Sequence, residues 1–156
     1  MEDSWIANDR KVAQYNQMIS AASNNYEAYC KRGIAFYNLG KVELAIKDYD
    51  QAIAINFDYA YAHYCRGIAY FNLGDNAGAI KDYSLALIID PELSYVYYDR
   101  GLAYYYMDNK EEAKQDFCIA ATLYKKQGYL DWYKNAIENI KLIESLQNPN
   151  SFAKLQ

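Results

Sequence analysis

Long hydrophobic runs are missing: no stretch approaches the roughly 18 uninterrupted apolar residues of a membrane span, so membrane insertion is not expected. The amino end, Met1-Glu2-Asp3-Ser4-Trp5, is acidic and lacks the basic stretch and apolar core of a secretory signal, which makes a cytoplasmic location the expectation. Cysteine is sparse and odd in number. Cys30, Cys65 and Cys118 lie in helix-like patterns, which suits reduced, buried thiols and argues against a disulfide framework. Proline occurs only as Pro91 and Pro149, and with 53% apolar content in 156 residues the chain fits one compact domain with a sizeable core. Clustered positive charge is absent too. The net charge is −4 and the basic residues are spread one or two per helix, so no nucleic-acid partner is expected.

Catalytic and metal-ligating groups are equally scarce. His63 is the single histidine and falls at an aromatic core position of the pattern below, where a packed or hydrogen-bonded role outweighs a general base. No Cys-x-x-Cys occurs, and His63 with Cys65 falls short of a closed zinc site, so no metal is expected. The Gly-rich stretch Leu73-Gly74-Asp75-Asn76-Ala77-Gly78 lacks the Lys and Ser/Thr of a phosphate loop, and no cofactor is implied. Glu111-Glu112 most simply begin a helix, where carboxylates favour the dipole. These absences make an enzyme an unfavoured reading.

What the chain does have is a period. Arg32-Gly33, Arg66-Gly67 and Arg100-Gly101 recur at an interval of 34 residues. Counting each unit from Tyr26, Ala60 and Ser94, position 8 is Gly33, Gly67 and Gly101; position 10 is Ala35, Ala69 and Ala103; position 11 is Phe36, Tyr70 and Tyr104. Position 20 is Ala45, Ala79 and Ala113, position 24 is Tyr49, Tyr83 and Phe117, and position 27 is Ala52, Ala86 and Ala120. Small and large residues interleave at helical spacing, which lets two antiparallel helices approach closely. Gly40 and Gly74 close the first helices, with Asp108-Asn109 in their place in the third unit. Helix pairs are predicted at 26–39 with 42–55, 60–73 with 76–89 and 94–107 with 110–126.

This pattern resembles the tetratricopeptide repeat over residues 26–127, in the Arg-Gly variant frequent among bacterial members. Departures exist: His63 stands where the other units carry Tyr29 and Tyr97 at position 4, and Pro91 at position 32 is replaced by Phe57 and Lys125 in the others. Without that proline the last helix of the third repeat is expected to run on toward Gly128. The resemblance implies an all-α fold, a right-handed superhelical solenoid of antiparallel helix pairs, with function in a surface rather than a cleft.

The expected organisation is one domain over residues 1–156: an amino-terminal packing helix at 5–22, repeats at 26–59, 60–93 and 94–127, a capping helix at 129–147 and a mobile tail at 148–156. Tyr15, Gln17 and Ile19 sit 34 residues before Tyr49, Gln51 and Ile53, so the first segment reads as the second helix of a repeat whose first half is missing. Leu130, Tyr133, Ile137, Ile140, Ile143 and Leu146 form the apolar stripe of the capping helix. Arg32, Arg66 and Arg100 recur together with Asp48, Asp82 and Asp116, which predicts ion pairs between a first helix and a neighbouring second helix, in the same repeat or the next.

In tetratricopeptide repeats the concave groove is lined by positions 2, 5, 6, 9, 12 and 13 of each first helix. Carried over, the resemblance implies a groove of Glu27, Cys30, Lys31, Ile34, Tyr37 and Asn38 from the first repeat. The second supplies Tyr61, Tyr64, Cys65, Ile68, Phe71 and Asn72, and the third Tyr95, Tyr98, Asp99, Leu102, Tyr105 and Tyr106. With 19 tyrosines in the chain, this surface is aromatic, and tyrosine is a frequent interface anchor because it joins a large apolar face to a hydroxyl. Members that clamp the terminal carboxylate of heat-shock chaperones use Lys, Asn and Arg at places that here carry Cys30, Ile34, Cys65, Tyr95 and Asp99, so that mode is not expected. The reading is a non-enzymatic adaptor or assembly scaffold that receives a peptide or helix segment of another protein. Two alternatives stay open: a small secretion-type chaperone that shields client segments, and a self-associating solenoid in which the capping helix, or Trp5 and Trp132, pairs two copies as a homodimer. Truncating Tyr64 and Tyr98 together is expected to weaken partner binding while leaving melting nearly intact.

Overall fold

The computed structural model describes residues 4–147; the expected tail at 148–156 lies outside them. Among the described residues there are eight helices and no strand: α1 Ser4–Ala21, α2 Tyr26–Asn38, α3 Val42–Ile55, α4 Ala60–Asn72, α5 Asn76–Ile89, α6 Ser94–Tyr106, α7 Lys110–Gln127 and α8 Leu130–Gln147. The chain forms two compact units divided between Asp90 and Pro91, the first holding α1 to α5 and the second α6 to α8.

Local chemistry sets the ends of these helices. Asn25 caps α2 by accepting the Ala28 N–H at 3.0 Å, and Asp75 caps α5 by accepting that of Gly78 at 2.9 Å, each satisfying one of the orphan donors of a helix start. After α2 and α4 the chain reverses through Gly40 and Gly74 at φ +73° and +81°, a region that costs glycine little. Asp108 takes that conformation after α6, at φ 60°. Because no proline interrupts it, α7 continues to Gln127, and Gly128 at φ +82° stops it, with Lys125 and Lys126 complementing the dipole in the last turn.

In the first unit α1 packs on α2, α2 on α3, α3 on α4 and α4 on α5, and α2 also touches α4; in the second, α6 packs on α7 and α7 on α8. Each pair closes over a glycine. A Cβ on Gly67 would lie 2.6 Å from Cε1 and 2.7 Å from Cδ1 of Tyr83, so the ring takes the space a side chain would fill. Gly33 stands in the same relation to Tyr49, and Gly101 to Phe117 at 3.0 Å. Ala45, Ala52, Ala79, Ala86, Ala113 and Ala120 are wholly buried around those rings. Burying such a ring stabilises a unit by about 1.5–3 kcal/mol.

Two expectations are corrected here. Cys118 is exposed, unlike Cys30 and Cys65, because position 25 of the repeat falls on the outer side of the second helix. The anticipated stripe of α8 is covered only in its middle: Ile143 is buried with Ala136 and Ile140 packs on the same cluster, whereas Leu130 and Leu146 at the two ends are exposed. Trp132 stacks on Tyr124 of α7 at 6.1 Å.

Candidate peptide-binding surface

The repeated arginines brace each pair. Arg32 donates through Nε and Nη2 to Asp48 at 2.8 and 2.7 Å, Arg66 to Asp82 at 2.7 and 2.7 Å, and Arg100 to Asp116 at 2.7 and 2.8 Å. The Nη1 groups of Arg32 and Arg66 also reach backward, to Asn16 of α1 and Asp50 of α3, both at 2.7 Å. Asn16 and Asp50 are 34 residues apart, so α1 receives the arginine of α2 as α3 receives that of α4. The pairing thus joins each first helix to its own second helix and, in the first unit, to the preceding one. Tyr29 and Phe36 flank the Arg32 guanidinium at 5.4 and 5.8 Å, and Tyr97 and Tyr104 flank that of Arg100 at 5.6 and 5.9 Å, adding cation–π attraction.

His63 is fully buried and is held by the Phe57 carbonyl 2.8 Å from Nε2, edge-on to the Phe57 ring. Its Nδ1 lies 3.8 Å from Asp82. Burial pushes the Asp82 carboxyl up, but Arg66 and His63 outweigh it and hold the group below the usual carboxylate range. A depressed folded value contributes stability that is present above the unfolded value of about 3.9 and is lost as pH falls through the folded one. Acid titration of unfolding is therefore expected to show an Asp82-dependent loss confined below about pH 4, a loss that Asp82→Asn removes.

The expected groove residues distribute over both units. On the first, Ile34, Tyr37 and Asn38 of α2, Tyr49 of α3 and Tyr61, Tyr64, Cys65 and Ile68 of α4 line an open cavity of about 190 Å³. Asn72 donates to the Tyr37 hydroxyl and to the Ile68 carbonyl, at 2.9 Å for the latter, and so ties α4 to α2 beside the cavity. Tyr61 is 41% exposed, with its ring 6.1 Å from that of Tyr64. Glu27 and Lys31 are exposed, Phe71 is half-buried, and Cys30 is buried away from solvent.

On the second unit, Leu102, Tyr105 and Tyr106 of α6, Phe117 of α7 and Asn139 and Leu142 of α8 line a cavity of about 220 Å³. Tyr106 is 67% exposed and Leu142 47%. Leu102, Tyr105, Tyr106 and Phe117 hold the same repeat positions as Ile34, Tyr37, Asn38 and Tyr49, so the two cavities are built alike. Asn139 and Leu142 were outside the sequence expectation, and the signal that locates them is the register of α8 beside α6. Tyr95 and Asp99 are half-buried. Tyr98 is not an open groove residue: it accepts from Asn139 at 3.0 Å and packs on Phe117, Tyr124 and Trp132 at 5.5, 6.4 and 6.0 Å. It carries α8, so truncating it removes packing of the fold, contrary to the expectation for the Tyr64 and Tyr98 pair.

Among the described residues no group of three or more His, Cys, Asp or Glu is placed to hold a metal, and no helix is long and apolar enough to cross a membrane.

Paired antiparallel helices that close over a repeated glycine and present aromatic cavities on their first helices define a helical-repeat interaction fold. The chain belongs to the tetratricopeptide repeat family, whose repeats match residues 35–74, 60–93 and 94–127. Among solved structures it is similar to MamA, at 20% identity and a TM-score of 0.67, with 99% of both chains covered. It is similar to the second tetratricopeptide domain of Spaghetti (RPAP3) bound to the HSP90 peptide SRMEEVD, at 30% identity and a TM-score of 0.63, covering 65% of this chain and 94% of that one. The translocator chaperone SycD of the Yersinia enterocolitica type III secretion system matches at 16% identity and a TM-score of 0.76, covering 81% of this chain and 88% of that one. No curated protein sequence matches the chain. The chain is thus a protein-interaction module of that family, all-α in class.

Proposed function

We propose that this protein is a non-enzymatic binding module that takes a peptide segment of a partner protein, seating apolar side chains of that segment on the aromatic first-helix faces. The observation that carries this reading is the pair of equivalent open cavities, one per unit, walled by aromatic and aliphatic side chains. Open apolar hollows of this kind mark contacts, and either volume accommodates one large side chain.

No Lys or Arg lines either cavity, which disfavours a terminal carboxylate and favours an internal segment held by apolar anchors and by hydrogen bonds to Tyr hydroxyls and Asn38 or Asn139. The peptide bound by RPAP3 ends in acidic residues; this chain lacks the cations that such an end needs at those places.

Selection from a random peptide library tests the proposal. Selected peptides are expected to share apolar anchor residues, and Tyr61→Ala or Tyr106→Ala to weaken them about tenfold each, a hot-spot loss of about 1.4 kcal/mol, with helicity unchanged. Tyr61 and Tyr106 are both exposed, so the loss of either ring removes less packing than the loss of a buried one. Peptides unaffected by either change, alongside an intact fold, would remove this surface as the binding site.

A further inference from the structure

We propose that the cavity of the second unit is filled by this chain's own segment 148–156, with Phe152 seated between Tyr106 of α6 and Leu142 of α8, so that a partner segment binds there only by displacing it. The displacement rests on the peptide-binding reading above; the seating of Phe152 does not.

The cavity opens close to where that segment begins. Its exposed walls, Tyr106 and Leu142, are continued by Leu146, half exposed and one turn beyond Leu142 on the same face of α8. This apolar edge runs to the last turn of the helix, and an exposed apolar surface of this kind marks a contact. Two contacts hold that last turn to the start of α7. Lys114 pairs with Glu144 at 2.6 Å, and Gln147 donates to Glu111 at 2.6 Å. Glu111 follows directly on the reversal between Tyr106 and Lys110, so the chain leaves α8 close to Tyr106.

Reach and composition select the occupant. Leu142 lies five residues before Gln147, about 7.5 Å back along the helix, whereas the five residues from Gln147 to Phe152 span up to about 17 Å. Pro149 has no N–H for a continuing helical turn, and Asn148-Pro149-Asn150-Ser151 is rich in turn formers, a composition that favours folding back. Phe152 is the first large apolar side chain after Leu146. Its ring suits a hollow walled by Tyr105, Tyr106 and Phe117, because aromatic rings gain from edge contacts with one another. The segment's one charged side chain, Lys154, is opposite in sign to Glu111 and Glu112 in the first turn of α7.

A tethered segment needs little affinity of its own. A short flexible linker gives an effective concentration on the order of millimolar, so a single aromatic anchor with an affinity in that range fills about half of the sites. A partner segment competes with it, and the partner's apparent affinity falls with the fraction of sites left open.

The test compares methyl NMR spectra of the whole chain with those of its Phe152→Ala variant. Loss of the ring current is expected to move the Leu102 and Leu142 methyl resonances and to leave those of Ile34 and Ile68 in the first cavity in place, with helicity unchanged. The difference is expected to persist on about tenfold dilution, since the tether acts within one molecule. For library peptides that Tyr106→Ala weakens, Phe152→Ala is expected to raise affinity about two- to fivefold. Leu102 and Leu142 methyls unmoved by Phe152→Ala would overturn the proposal. A difference lost on dilution would overturn it as well, by placing the segment in a second copy. Moved methyls with unchanged peptide affinity would overturn the displacement alone. If no library peptide binds, the peptide-binding reading fails, and the methyl shifts still decide whether Phe152 is seated.

Discussion

Asp82→Ala is expected to destabilise the first unit by about 3–5 kcal/mol, the cost of breaking a buried ion pair by removing one partner. Asp82 is buried, accepts two hydrogen bonds from Arg66 and faces His63. Without it the Arg66 guanidinium, itself only 19% exposed, keeps its charge in a partly dry setting with Asp50 as its remaining anion. Asp82→Lys is expected to cost at least as much, since it adds a second cation beside Arg66. The control is Asp50→Ala. Asp50 receives the same guanidinium at 2.7 Å but is half exposed, so its loss is expected to cost about 0–1 kcal/mol. Urea unfolding of the variants at pH 7 checks the contrast. Equal, small effects for Asp82→Ala and Asp50→Ala would show that the recurring pairs are not braces.

Tyr83→Ala is expected to cost about 3–5 kcal/mol, as removal of a buried ring leaves a cavity that the surrounding helices cannot collapse to fill. Tyr83 is 1% exposed and lies against Gly67. The same contact makes the opposite change costly. Gly67→Ala places a Cβ 2.6 Å from the ring, and such overpacking costs about 1–3 kcal/mol because the ring is locked between α4 and α5. The two losses should not add. In the Tyr83→Ala background the Gly67→Ala methyl enters the vacated space, so its effect is expected to become neutral or stabilising, giving a coupling of at least about 1 kcal/mol. Additivity within about 0.5 kcal/mol in a double-mutant cycle would mean that the helices part to accept the methyl by another route. Gly101→Ala is expected to cost less than Gly67→Ala, since Phe117 stands farther off at 3.0 Å.

Much of this architecture is legible in the sequence because it repeats local conditions. A glycine at position 8 and a ring at position 24 must meet wherever two such helices are joined by a three-residue reversal, so one spacing specifies the contact three times over. The same ruler places α1, whose Asn16 answers Arg32 as Asp50 answers Arg66. The paired recurrence of Arg and Asp is legible for the same reason, since a half-buried guanidinium requires a carboxylate within reach.

The candidate surface was less legible, and Tyr98 shows why. It occupies a groove position by count, yet α8 lies over it, and nothing in the spacing around residue 98 announces a helix that begins at Leu130. Cys118 follows a helix pattern as Cys30 and Cys65 do, but it faces outward, since burial is a property of what packs opposite. Asn139 and Leu142 read from the sequence only as parts of a cap. The docking of α8 turns them toward Tyr105 and Tyr106 and makes them walls of a cavity.

The sequence by itself thus determined the repeats, their helices and the glycine, ring and arginine contacts inside each pair, because these depend on residues at fixed separation along the chain. Only the tertiary structure decided which aromatic rings stay open and that α8 completes the second cavity. Those outcomes depend on the rotation and docking of one helix against another, and no single spacing encodes that.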